Sequence, residues 1–127
     1  MFEKLELTRM AQALASHAGS RMGVIAKNVA HADTPGFKAQ DVADFASVWN
    51  DSGEAMRSTR PGHIAEPARM SDLIPFDSGG AEAPNGNSVS LEKEMVKSVE
   101  ARQEHEMALA IYRATSDVIR ASLGRQR

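Results

Sequence analysis

The chain has 127 residues, a formal net charge of -2 and no cysteine. That excludes disulfides, thiol catalysis and cysteine-ligated metal sites, and it offers no broad electrostatic ground for nucleic-acid binding. Four Phe, one Trp and one Tyr, against seven Met and many Ala, leave material for only a thin core, so one modest structural unit is expected.

The N-terminal stretch MFEKLELTRMAQALASHAGSRMG carries charges throughout and has no continuous apolar run. It is not read as a signal peptide of the general export route, and no segment has the length needed to cross a bilayer. Residues 3 to 31 instead predict one long helix. Leu7, Ala11, Leu14, Ala18, Met22, Ile25 and Val29 recur at steps of four and three with an eleven-residue period, which predicts a seam that runs nearly straight or slightly right-handed. Arg9, Gln12, Ser16 and Lys27 fall off that stripe. At 1.5 Å per residue such a helix reaches roughly 43 Å.

The pattern stops at NVAHADTPGFK, residues 28 to 38. Pro35 cannot continue a helix, and it pushes Thr34 out of the α region. Gly36 follows where the third residue of a type II turn needs a positive φ. Beyond it, residues 34 to 88 contain all five prolines and read as an irregular middle. A short helix is expected at Asp41 to Trp49, with Val42, Phe45 and Trp49 on one face. RPGHIAE and MSDLIPF read as short extended pieces, and DSGGAEAPNGN as a flexible connection.

A second long helix is predicted over residues 89 to 123. Its stripe is Leu91, Met95, Val99, Met107, Ala110, Ala114, Val118 and Ala121, interrupted by Gln103. Ser88 or Ser90 is the candidate N-cap, acids follow in the first turns where the helix dipole favours them, and Gly124 is placed to act as the C′ residue. The expected fold is mainly α: two long terminal helices, in regions 1–33 and 89–127, pair as an antiparallel coiled-coil-like hairpin. Residues 34–88 join them, with at most a short helix and short extended pieces. A two-helix hairpin has no inside, so much apolar surface is expected to be covered by other chains.

Catalytic signatures are absent. His31 and Asp33 form an H-x-D without a third ligand cluster, His17 and His63 stand alone, and His105 shares no helix face with Glu104 or Glu106. Glu92 and Glu94, two apart on a helix, point to different faces. No phosphate loop, H-E-x-x-H or G-x-S-x-G occurs. The chain is read as not an enzyme, with no metal and no cofactor.

GVIAKNVAHADTPGFKAQDVADF resembles the N-terminal signature of bacterial flagellar rod and hook proteins, Asn-hydrophobic-Ala-Asn-Ala-(Asn/Asp)-Thr-Pro-Gly-(Tyr/Phe)-Lys. Asn28, Val29, Ala30, Ala32, Asp33, Thr34, Pro35, Gly36, Phe37 and Lys38 match it, and His31 stands where Asn is usual. NGNSVSLEKEM, with Asn85, Gly86, Asn87, Val89, Leu91, Glu94 and Met95, is similar to the entry into the C-terminal helix of the short proximal-rod proteins within that family. MRSTRPGHIA is a weaker match. The resemblance implies a structural subunit of the flagellar proximal rod, assembling through its terminal helices into the tubular shaft that transmits motor torque. It implies residues 28–38 as an assembly motif and Ala30 and Ala32 as points of close approach by another chain; the stripe on the C-terminal helix makes Met95, Val99 and Met107 the candidates for a seam within and between chains. It further implies export by the flagellum's own apparatus without a cleaved signal peptide. The implied partners are other rod proteins, copies of itself and the adaptor at the membrane ring and export gate, with no nucleic acid and no membrane insertion. The other reading of exposed helical stripes is a soluble adaptor or chaperone that binds a partner's amphipathic helix.

Overall fold

A computed structural model describes residues 2–53 and 73–124. Helix α1 spans Phe2–Ala30, strand β1 Gln40–Asp41, helix α2 Phe45–Gly53, strand β2 Phe76–Asp77 and helix α3 Leu91–Gly124. The expected mainly α hairpin is present. Helices α1 and α3 run antiparallel, placing Ala15 beside His105, Arg21 beside Glu100 and Asn28 beside Glu94. The two strands form a short antiparallel ladder that pairs Gln40 with Asp77 and Asp41 with Phe76. No described helix is long and apolar enough to cross a membrane.

The helix pair closes through small residues. Ala11, Ala18 and Ile25 are buried on α1, and Glu94, Ala101, Ala108 and Thr115 on α3. Each set recurs every seven residues, the repeat of a left-handed coiled coil. The eleven-residue seam expected on α1 is therefore corrected: Ala11, Ala18 and Ile25 belong to the contact, whereas Leu7 and Val29 are exposed. On α3 the correction is larger. Leu91, Met95, Val99, Met107 and Val118 are all exposed, and they do not form the seam within the chain. The reason is steric: alanines at positions 101 and 108, both fully buried, let the backbones approach where Met or Val would hold them apart.

The seam also changes character along its length. Toward the open end it is carried by Ala11, Ala108 and Thr115, whose hydroxyl is satisfied by the Ile111 carbonyl of its own helix. Toward the turn Arg21, Asn28, Glu94, Lys97 and Glu104 enter it, so hydrogen bonds and ion pairs replace apolar packing.

Several local expectations shift. Asp41 and Val42 lie before α2, Asp41 in β1 and Val42 buried beside it. The helix starts later because Asp44 caps it: Val48 N–H donates to Asp44 O, and the Ser47 N–H reaches the Asp44 carboxylate. Phe45 and Trp49 do share a face and stack at 5.8 Å. Ser90, not Ser88, precedes α3, since Glu94 N–H donates to Ser90 O. Gly124 ends α3 inside the helix without a positive φ, so it is not a left-handed C′ residue. RPGHIAE, His63, MRSTRPGHIA and the start of MSDLIPF lie outside the described residues; the end of the latter, Phe76, pairs in β2.

Gly19 and Gly23 sit in the interior of α1, and a Cβ built on either meets nothing within 4 Å. Each costs about 1 kcal/mol relative to Ala in a helix, and no contact among the described residues requires them.

Ala108→Leu overfills the seam and lowers unfolding stability by about 1 to 3 kcal/mol, whereas Met95→Ala on the exposed side stays within about 0.5 kcal/mol. Urea unfolding of the two variants measures the difference.

Candidate functional site

The two sequence motifs meet at the closed end of the helix pair. Helix α1 ends at Ala30, leaving its last carbonyls without partners inside the helix. His31 N–H donates to the Lys27 and Asn28 carbonyls, and its Nδ1 lies 2.8 Å from Lys27 O. Nδ1 thus carries the proton, and the imidazole fills the polar role at a position where the resemblance has Asn. The same ring stacks on Phe37 at 4.6 Å with planes 11° apart.

Thr34-Pro35-Gly36-Phe37 is the expected turn. Phe37 N–H donates to Thr34 O at 3.3 Å, and Gly36 has φ 73°. Asn85-Gly86-Asn87 lies against it. Gly36 N–H donates to Asn85 O, and Gly86 has φ 80°; a Cβ on Gly86 would come within 3.4 Å of the Gly36 Cα. Two glycines are therefore needed back to back, each for its own backbone angle and Gly86 also for space. Asn87 is 3% exposed, and its carboxamide nitrogen donates to the carbonyls of His31, Ala32 and Thr34 at 2.8 to 2.9 Å. One side chain from the far motif thus ties down the carbonyls of the segment that follows α1, while its Oδ1 receives the Val89 N–H at 2.7 Å.

The chain leaving the turn lies across the helix pair. Ser88 N–H donates to Phe37 O, Ala39 N–H to Ser88 Oγ, and Ser78 N–H to Ala39 O. DSGGAEAPNGN is thus tied to the post-turn segment, and Ser88 serves that tie instead of capping α3. Lys38 pairs with Glu82 on the surface.

Asn28 lies beneath this segment and is fully buried. Its Oδ1 accepts from Gln40 N–H at 3.0 Å, and its Nδ2 donates to Gln40 O at 2.7 Å and to the Glu94 carboxylate at 2.9 Å. It imitates a strand partner for Gln40 and joins both to α3. Glu94, 2% exposed, also receives Lys97 at 3.2 Å. Lys97 reaches Asp41 at 3.3 Å, and Asp41 reaches Arg21 at 3.3 Å. Arg21 extends to Glu100 and Glu104 at 3.9 and 3.8 Å. Burial pushes Asp41 upward, but the Val42 N–H, the Arg21 guanidinium and the Lys97 ammonium together hold its carboxyl below the usual 3.8.

Asn28, Thr34, Gly36, Phe37, Asn85, Gly86, Asn87, Val89 and Glu94 are therefore brought together. Ala30, Asp33 and Pro35 are exposed at its edge; Leu91, Met95, Val99 and Met107 stand apart from it on the outer surface of α3. Sequence reasoning missed Arg21, Gln40, Asp41 and Lys97, whose roles arise only when three segments meet. It also missed His17, which is buried with Nε2 2.7 Å from Ala43 O and its ring edge-on to Phe45. A histidine followed by alanine on the seam face was the available signal. What this site does chemically is fasten backbone to backbone.

Asn28→Leu keeps the size but leaves the Glu94 carboxylate and two Gln40 backbone groups without their partner, and is expected to cost about 3 to 5 kcal/mol. Asn28→Asp, which sets a second carboxylate against Glu94, costs at least as much at neutral pH; urea unfolding of both variants checks this. Asp41 gives a separate acid signature. Its pKa is lowered on folding, so its contribution is complete above about 3.8, the unfolded value, and is lost as pH falls through the lower folded value. Arg21→Ala flattens that acid limb in unfolding measured from pH 6 to pH 2.

No protein-family model matches the chain. It is 27% identical over 118 residues to the flagellar basal body rod protein FlgB of Agrobacterium fabrum, an alignment covering 88% of each chain. It is 27% identical over 123 residues to the flagellar basal body rod protein FlgB of Salmonella typhimurium, covering 87% of this chain and 88% of that one. The chain is FlgB-like over most of its length.

Proposed function

We propose that this chain is a structural subunit of the flagellar basal-body rod, of the proximal-rod type, and acts mechanically. The observation that carries the reading is the inversion on α3. Its internal seam is made of Ala101, Ala108, Thr115 and the buried Glu94, while Met95, Val96, Val99 and Met107 face outward at 51 to 70% exposure. A helix that spends small residues inside and large apolar ones outside is built to pack against further chains. The names of the relatives say which assembly has such neighbours.

In this reading the closed end is the mechanical joint. The Thr34-Pro35-Gly36 turn, held by Asn85-Gly86-Asn87, fixes where α1 stops and how the middle leaves the pair. Met95, Val99 and Met107 contact neighbouring chains in a tube, and Ala30 and Ala32 admit close approach by another chain. Torque passes through many buried contacts acting together. Its partners are copies of itself, other rod proteins and the adaptor at the membrane ring and export gate. The subunit lies in the periplasmic part of the basal body and travels there through the flagellar export apparatus without a cleaved signal peptide.

The chain is expected in basal bodies purified from its own cells, and its deletion is expected to abolish motility. Gly36→Val forces a β-branched residue to φ 73° and opens the joint; its cells are expected to be non-motile although the chain is made. A chain absent from basal bodies, in cells that swim without it, would overturn the reading in favour of a soluble adaptor.

A further inference from the structure

The chain has asparagine at positions 28, 50, 85 and 87. Asn28 and Asn87 are buried with their carboxamides engaged, and Asn50 lies inside α2 ahead of Asp51. Asn85 is different. It is exposed, sits in a turn and is followed by Gly86. Glycine sets no side chain beside its own nitrogen, so the amide of an Asn-Gly pair is the one best able to attack the carboxamide carbon before it.

The closed end of the helix pair holds that attack off. Gly86 N–H donates to Ala83 O at 2.8 Å and Ala83 N–H to Asn87 O at 2.8 Å, so Pro84-Asn85-Gly86 is a short loop with Gly86 at φ 80°. Asn85 is held at both of its oxygens. Its carbonyl accepts Gly36 N–H at 3.0 Å, and its Oδ1 accepts Asn87 N–H at 3.1 Å. To reach the Asn85 Cγ, the Gly86 nitrogen must release the proton it donates to Ala83 and swing toward the side chain, which pulls the loop off Ala83 and Gly36. The backbones have no slack for this, since a Cβ on Gly86 would already stand 3.4 Å from the Gly36 Cα.

We propose that Asn85 is a self-modification site that the closed end protects, and that its isoaspartate product prevents the end from closing again. When the end opens, the Gly86 nitrogen passes its proton to water and bonds to the Asn85 Cγ. The Cγ–Nδ2 bond breaks, and ammonia leaves with a proton returned from water. Water then opens the cyclic imide: at Cγ it gives aspartate, and at the main-chain carbonyl it gives isoaspartate. The net change is water in and ammonia out, with nothing oxidised or reduced. The two products differ in consequence. Aspartate keeps the backbone and an oxygen for the Asn87 N–H. Isoaspartate routes the chain through the side chain, which lengthens it by a carbon and removes the peptide carbonyl that binds Gly36. Asn87 is then displaced from the carbonyls of His31, Ala32 and Thr34. A chain left open too long therefore loses its joint, whatever assembly it belongs to.

The full chain is incubated at neutral pH, both folded and in denaturing urea. Peptide mass spectrometry follows position 85, and enzymatic methylation labels the isoaspartate. The folded chain is expected to react at least about tenfold more slowly than the unfolded one, because only the locally opened fraction reacts. Asn85→Gln, whose longer side chain closes a ring far less readily, removes the product from that peptide. Asn87→Ala unties the closed end and speeds the reaction, whereas Ala108→Leu weakens the distant seam and speeds it much less. The isoaspartate form, purified from the incubated chain, unfolds at lower urea than Asn85→Asp, which stays near the parent. No product in the unfolded chain overturns the site. Equal rates in folded and unfolded chain, or equal acceleration by Asn87→Ala and Ala108→Leu, overturn the protection by the closed end. An isoaspartate form as stable as Asn85→Asp overturns the loss of closure.

Discussion

The carboxamide of Asn28 joins three segments that are distant in sequence. It offers one acceptor and two donor hydrogens in a plane, and all are used, on the N–H and C=O of Gln40 and on the Glu94 carboxylate. Water does not reach it, so any loss of a partner leaves a polar group stranded at a cost of about 1 to 3 kcal/mol. This makes the contact a constraint on geometry more than a source of net stability. It fixes how far along α1 the helix α3 must sit. The alanine seam recurs every seven residues and would tolerate a slip by one heptad; Asn28 facing Glu94 would not.

The ion pairs around it extend the same logic. Arg21, Asp41, Lys97 and Glu94 alternate in sign across α1, β1 and α3, with spacings of 3.2 to 3.3 Å between neighbours. Each buried charge has an opposite charge and a hydrogen bond, which is the condition under which burial is tolerated. Removing one member strands the rest. The half of the seam toward the turn is therefore specific and brittle, and the small-residue half toward the open end, Ala11, Ala108 and Thr115, is permissive.

The closed end shows why two motifs separated by almost fifty residues belong to one device. The helix stops at Ala30, and the His31 and Ala32 N–H groups close its last carbonyls. The turn that follows leaves the carbonyls of His31, Ala32 and Thr34 facing inward, and Asn87 binds all three from the other side of the middle region. Gly36 and Gly86 let the two backbones touch. The stop of α1 and the start of α3 are thus set by one another, and the irregular middle leaves the pair at a defined place whatever its own length.

The sequence by itself determined the two helices, their near-final limits, the turn at Thr34-Pro35-Gly36 with its positive φ, and the likeness to rod proteins. These rest on local physics: apolar periodicity, the missing N–H of proline, the freedom of glycine, and motif spacing. On α1 the predicted stripe already held Ala11, Ala18 and Ile25, but tertiary structure alone decided which face of α3 turns inward. On α3 a search for large apolar residues found Leu91, Met95, Val99 and Met107, whereas the contact with α1 uses Glu94, Ala101, Ala108 and Thr115. Hydrophobicity marks what is to be buried but does not say by which chain, and close helix packing selects small side chains over oily ones. The role of Asn28 was legible as a motif position, but its bonds to Gln40 and Glu94 were not. A hydrogen bond between residues far apart in sequence depends on a register that no local pattern encodes. Asp41 passed for a helix residue and Ser88 for a candidate cap for the same reason: each had a plausible local use, and a distant partner outweighed it.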